Sequence, residues 1–265
     1  MRTEKDNWIE KDLKYVWHPD TQMKQYEGNN YKPTLIEHGE GIYVYDADGN
    51  KYIDAVASWW VNTLGHSVPR LNKVLYEQAS KIEHILLADF THKPAIELAE
   101  RLVKLAGEPF SKVFYSDDGS TAVEVAIKMA YQYWYQKGQP QKKYFVSMTD
   151  SYHGDTLGSV SVGGIDIYKE VFNPLVFETL KVNAPYCYRC PKGLNKHDCN
   201  IDCLKDVVKL FKERHNEIAA IIVEPLVQGA AGMRMYPAEY LNRLRILCDE
   251  YDILLIDDEV AMAFG

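Results

Sequence analysis

Apolar residues in this chain follow two spacings. Short, mostly apolar runs occur at 144–148 (Tyr-Phe-Val-Ser-Met), 219–224 (Ala-Ala-Ile-Ile-Val, closed by Glu) and 253–256 (Ile-Leu-Leu-Ile). Continuous runs of this length predict strands buried on both faces of a parallel sheet. Elsewhere apolar residues recur every three or four positions, as in Leu71, Val74 and Leu75, or Ile96, Leu102 and Val103. This spacing predicts helices over 69–82, 94–106, 121–137, 202–214 and 237–250. Pro69 and Pro94 sit in first turns, where a missing N–H costs nothing. Thr121 with Glu124 fits a capping box. A strand at 112–115 precedes the turn at 116–120. From residue 94 onward strand and helix alternate, which predicts an α/β fold with a mainly parallel sheet.

The first part of the chain reads differently. A helix over 6–15 is broken before Pro19. Short strands at 35–37, 42–45 and 51–54 follow, with Asp48-Gly49-Asn50 as a hairpin turn. These divide the chain into an N-terminal small-lobe segment, 1–68, and a large domain, 69–265. The Gly- and Ser-rich stretch 152–164 reads as a functional loop.

Composition narrows the class. The 265 residues are 46% hydrophobic and 26% charged, as in ordinary globular proteins. A net charge of −8 and a pI near 5.5 argue against a nucleic-acid partner. No apolar run approaches the length of a membrane span. The start, Met1 to Asp6, is charged and leads into no apolar segment, so no signal peptide is expected. Five cysteines suggest no disulfide framework, and a reducing cytoplasm is the expected compartment.

The chemistry-bearing residues sit at predicted element ends. Asp257, Asp258 and Glu259 follow the last strand, where ligands of open α/β sheets bind. Gly119-Ser120-Thr121 stands between strand and helix, and bare N–H groups at such a start attract anions. On the residues alone, ordinary helix capping is the commoner explanation of those three. Tyr152-His153-Gly154-Asp155 and Glu224-Pro225-Leu226-Val227-Gln228-Gly229 follow two other strands. His153 fits a catalytic base or, more commonly for a lone histidine, a structural hydrogen-bonding group.

Taken together, these motifs and Leu255-Ile256-Asp257-Asp258-Glu259-Val260 with Ala263-Phe264-Gly265 resemble the class III aminotransferases, which use pyridoxal 5′-phosphate (PLP). The resemblance runs from Trp17 to Gly265. It implies the fold type I architecture of PLP-dependent transferases, with the C-terminal part absent. It places Asp258 under the pyridine nitrogen, Gly119 and Ser120 on the phosphate, Tyr152 on the ring face and at the substrate, and Glu224 with Gln228 near the ring edge. It assigns no catalytic residue within the chain, because the Schiff-base lysine and an arginine are expected beyond residue 265. Impaired transamination by these residues alone is the corresponding expectation.

Ser58-Trp59-Trp60, Trp17-His18-Pro19 and Gly154-Asp155-Thr156 look like the branch of that family that makes 7,8-diaminopelargonate in biotin biosynthesis. The branch implies 8-amino-7-oxononanoate as acceptor, S-adenosylmethionine or lysine as donor, a homodimer, and Trp59 and Trp60 at the substrate. Aromatic walls suit a long aliphatic substrate, and core packing is the alternative for the pair. Another class III ω-aminotransferase and a non-catalytic PLP-fold fragment are the rival readings.

Asp20, Asp118, Asp257, Met262 and Ala263 depart from the family pattern. A carboxylate at Asp118 is expected close to the cofactor phosphate. At an effective dielectric of ~20, like charges ~5 Å apart repel by about 3 kcal/mol. Asp257 is expected to face away from Asp258, toward the core. Cys187-x2-Cys190 and Cys199-x3-Cys203, with His197 between them, have the residue types of a tetrahedral zinc site. Reduced cysteines in a surface loop are the plainer reading, and no metal ligand is assigned.

Overall fold

The structure, a computed structural model, describes residues 3–29, 31–195 and 197–264. Met1 and Gly265, named above, lie outside the described residues. The chain falls into two compact units, Met1–Gly107 and Glu108–Gly265. Helices Pro69–Ala79 and Lys93–Ala106 therefore group with the meander in the first unit.

In the first unit, helix Glu4–Tyr15 opens on a capping box between Thr3 and Asp6. An antiparallel meander follows, made of β1 (Ile36–Glu40), β2 (Tyr43–Asp46) and β3 (Lys51–Ile53). Asp46 organises its second turn. It accepts from Asn50 Nδ2, the Tyr52 hydroxyl and two backbone N–H groups, which hold its carboxyl down at about 2. Beyond β3, Ala57, Ser58, Trp59 and Trp60 all take positive φ, from 48° to 70°. That is one turn of left-handed helix without a glycine, a conformation that costs an L-residue roughly 1–2 kcal/mol. The two helices of this unit form where periodicity predicts them, yet Leu71, Val74, Leu75, Ile96 and Leu98 are exposed.

The second unit holds a parallel sheet in the order β5-β4-β6-β9, with β4 at Tyr144–Met148, β5 at Leu180–Val182, β6 at Ile218–Val223 and β9 at Leu254–Asp257. Between β6 and β9 a small hairpin pairs β7 (Val227–Gln228) with β8 (Arg234–Met235). Every residue of β6 has zero solvent exposure, which explains its unbroken apolar sequence. On one face Val146, Ile221 and Val223 pack with Val207 and Phe211 of helix Lys205–Arg214 and with Tyr240 and Leu244 of helix Ala238–Glu250. On the other, Phe145, Ala220 and Ile222 meet Val123, Ile127 and Trp134 of helix Gly119–Gln136. The Trp134 indole N–H donates to Ala219 O at 2.7 Å, so the buried ring leaves no polar atom unpaired. The result is a three-layer α/β/α unit.

Three details depart from expectation. Residues 112–115 form no strand, because they pair with no other strand among the described residues. Helix Gly119–Gln136 starts two residues early: Asp118 is its cap and forms the capping box with Thr121. Residues 152–164 contain helix Leu157–Val162, whose residues from Gly158 onward are buried and which therefore forms despite its small side chains. No helix among the described residues is long and apolar enough to cross a membrane.

Candidate active site

The sheet order places a topological switch beside β4. The chain leaves β4 for β5 on one side and returns to β6 on the other. Ligands of open α/β sheets bind in the crevice that such a reversal opens at the carboxyl ends of the strands. Here the segments following β4, β6 and β9 meet the start of helix Gly119–Gln136.

Asp258 follows β9 and is buried, anchored by its own N–H to Val223 O at 2.8 Å. Its Oδ1 accepts from Val260 N at 3.1 Å, and its Oδ2 lies 2.7 Å from His153 Nδ1. The His153 side chain has zero exposure. A proton on His153 Nδ1 is donated to Oδ2, and in the neutral imidazole Nε2 is then an acceptor. That Nε2 is buried without a hydrogen-bond partner among the described residues, and so is Gln228 Oε1. Buried polar atoms left open in this way need an explanation, and a missing ligand is one.

Glu224 ties two loops together. Its Oε2 accepts from Tyr152 N at 3.0 Å, its Oε1 from Gly229 N at 2.9 Å, and its carbonyl from the Tyr236 hydroxyl at 2.5 Å. Burial pushes its carboxyl above the usual range, and the two N–H groups oppose the shift. Gln228 Nε2 donates to Thr149 O at 3.0 Å. Tyr152 is half-buried, its hydroxyl donating to Asp155 Oδ2 at 2.8 Å and its ring edge-on to Tyr168 at 5.9 Å.

At the helix start, the Asp118 carboxylate accepts from Thr121 N at 2.8 Å. The N–H groups of Gly119 and Ser120 have no partner among the described residues. The approach here is very close. A Cβ on Gly119 would stand 2.8 Å from Val260 Cγ1, and one on Gly154 only 2.1 Å from Ser120 Oγ. Ser120 Oγ also accepts from Asp155 N at 3.1 Å. The described geometry thus gathers Gly119, Ser120, Tyr152, Glu224 and Asp258 within one unit. Glu124, assigned above to a local cap, instead accepts from Thr156 Oγ1 at 2.6 Å and Gly158 N at 2.7 Å, fastening the loop to the helix.

Trp59 and Trp60 belong to the first unit and are 67% and 43% exposed, so they are not core residues. Asp257, at the end of the edge strand β9, is exposed rather than turned into the core, although the partial burial of its carboxyl still raises it above the usual range. The four cysteines Cys187, Cys190, Cys199 and Cys203 line one cavity of about 20 Å³. Burial, and then the neighbouring thiols, push the Cys203 thiol up to about 11. Among the described residues no three His, Cys, Asp or Glu side chains stand ready to hold a metal ion. A depression of about 760 Å³ along residues 166–181 contains none of the expected site residues.

Comparison with known proteins bears on this arrangement. Residues 25–265 match the family model Aminotransferase class-III. The chain belongs to the class III aminotransferases. A Geobacter sulfurreducens protein named adenosylmethionine-8-amino-7-oxononanoate aminotransferase is 47% identical over 255 residues, covering 96% of this chain and 56% of the relative. A Staphylococcus aureus protein of the same name is 45% identical, covering 97% and 57%. The crystal structure of the Methanocaldococcus jannaschii protein so named superposes with a TM-score of 0.90 at 40% identity, over 99% of this chain and 56% of that one. A Pseudomonas jessenii ω-transaminase, solved in complex with PMP, gives 0.89 at 36%, over 97% and 57%. The chain spans about half the length of the curated relatives it matches. Class III aminotransferases are PLP-dependent, and the fold and cofactor class expected from the sequence agree with this family.

Proposed function

We propose that this chain is the cofactor-cradling part of an aminotransferase that transfers an amino group to 8-amino-7-oxononanoate, giving 7,8-diaminononanoate in biotin biosynthesis. The observation that carries the reading is the buried His153–Asp258 pair at the end of β9, beside the open N–H groups of Gly119 and Ser120. The residues present fit PLP. A buried carboxyl group with one oxygen held by His153 suits a protonated ring nitrogen. Two open N–H groups at the start of an 18-residue helix suit a phosphate.

When bound, PLP supplies an electron sink for charge that develops on the carbon bearing the amino group. The chain's residues do the rest of the positioning. Asp258 holds the proton on the ring nitrogen, and His153 fixes the carboxylate's direction. Val260 N holds its second oxygen, and burial excludes water. Gly119 and Ser120 would hold the phosphate and Tyr152 would lie at the ring and the substrate, while Glu224 keeps the Tyr152 loop against the Gly229 turn. Trp59 and Trp60 contact the aliphatic acceptor. S-adenosylmethionine or lysine is the donor, the working form is a cytoplasmic homodimer, and residues 1–68 and 69–265 are the small-lobe and large-domain portions.

A second reading, a non-catalytic member of the fold, rests on Asp118, whose charge sits at the phosphate end of the cradle. Asp118→Ser should therefore tighten binding of pyridoxamine 5′-phosphate by roughly tenfold, the full repulsion being screened by solvent. Equal affinities measured by calorimetry would show that the charge is already compensated. The functional test is an assay of the protein as it occurs in its cell, supplied with PLP, both donors and a panel of acceptors. Formation of 7,8-diaminononanoate supports the reading. Turnover of other ω-amino acceptors alone makes it a different ω-aminotransferase, and no turnover with any acceptor favours the non-catalytic fold.

A further inference from the structure

The left-handed turn Ala57–Trp60 has no glycine to favour it, so something outside its own backbone preference must hold it. One candidate is in contact with it. Asp54 Oδ1 accepts from Ser58 N at 2.9 Å, and Asp54 Oδ2 accepts from Ser58 Oγ at 2.7 Å. The same Oδ2 lies 2.8 Å from His66 Nε2. Both acid and imidazole are well shielded, with side chains 11% and 17% exposed. His66 is itself fixed. It exchanges two backbone hydrogen bonds with Gly41, at 3.1 and 2.7 Å, and its ring lies so close to Gly39 that a Cβ there would stand 2.7 Å away. A path of contacts therefore runs from the meander through His66, Asp54 and Ser58 to the turn that carries both indoles. The indoles themselves are exposed and have no ring partner among the described residues. Their direction is set by the backbone beneath them.

We infer that Asp54, with Ser58 and His66, is a positioning device that keeps Ala57–Trp60 left-handed and so aims Trp59 and Trp60 at the acceptor. The consequence for substrate rests on the reading of Trp59 given above; the control of the turn does not. The residues act through the tryptophans and touch no reacting atom. Losing the carboxylate releases Ser58 N and Oγ together, and the four L-residues then relax toward negative φ. A glycine at position 57 removes the penalty at the first of the four positive-φ positions, so it should offset part of the lost anchor.

The experiment compares wild type, Asp54→Ala, Ala57→Gly with Asp54→Ala, and His66→Gln in the full protein loaded with PLP. Near-ultraviolet circular dichroism reads the indoles, with Trp59→Phe and Trp60→Phe assigning their bands. Far-ultraviolet melting shows that each variant is folded, and His66→Gln serves if Asp54→Ala is not. The expected result is loss of the Trp59 and Trp60 bands in Asp54→Ala. A rise of about tenfold in the Kd for 8-amino-7-oxononanoate should accompany it. Both should return in part in the double variant. Unchanged bands in Asp54→Ala, or bands lost and not restored by glycine, overturn the inference. Bands lost and restored, with Kd unmoved there and in Trp59→Phe, leave the positioning role standing and remove Trp59 from the substrate site.

Discussion

Asp258→Asn should lower turnover by roughly three orders of magnitude while changing stability by only about 1 kcal/mol. The asymmetry follows from the geometry. Asn keeps the shape and can still accept from Val260 N through Oδ1. Its amide N–H₂ would then face His153 Nδ1, and His153 can move its proton to Nε2, which has no other partner to lose. The fold therefore adapts by a tautomer change. The chemistry does not adapt, because a neutral amide cannot hold a proton on a pyridine nitrogen. Steady-state kinetics and a thermal melt of the same preparation check both halves. Near-normal turnover would remove Asp258 from its assigned role. A melting shift of the size expected for two buried N–H donors forced face to face would show that the His153 tautomer is locked.

Gly154→Ala should be the most damaging single methyl in the site, destabilising the protein by about 3 kcal/mol. Its φ of +117° lies where L-residues rarely go, and the new Cβ would stand 2.1 Å from Ser120 Oγ and 3.0 Å from Ser120 Cα. Side-chain rotation cannot relieve a contact with Cα, so the loop or the helix start must move. Either shift disturbs the Ser120 N–H, so phosphate binding should fall together with stability. Gly49→Ala is the control. It shares a positive φ of 80° but has nothing within 4 Å of the new Cβ, and should cost only about 1 kcal/mol. Urea unfolding of the two variants separates crowding from backbone strain. Equal losses would mean that the close approach of Gly154 to Ser120 is unimportant.

Legibility in the sequence tracked how local each cause was. β6 was readable because burial on both faces leaves six consecutive apolar residues. Helix Ala238–Glu250 was readable because its apolar stripe meets the sheet at Tyr240, Leu244 and Cys248. Asp258 stood out because an acid at a parallel strand end has few structural uses. By contrast β5 is three residues long, and its identity depends on pairing with β4. The helix start was misplaced because Thr121 and Glu124 mimic a capping box, whereas Asp118 does the capping and Glu124 reaches 32 and 34 residues along the chain to Thr156 and Gly158. His153 read as a lone histidine because its partner lies 105 residues away. The left-handed turn at Ala57–Trp60 left no trace at all, since its support comes from the Asp54 and His66 side chains rather than from glycine.

The role proposed for the second unit is a phosphate-anchored cradle for a pyridine ring. A calorimetric titration of the chain with pyridoxamine 5′-phosphate, run beside pyridoxamine, tests it most directly. Binding at one site, with affinity lost when the phosphate is absent, is the predicted result. No binding, or equal affinity for the two compounds, would contradict the account.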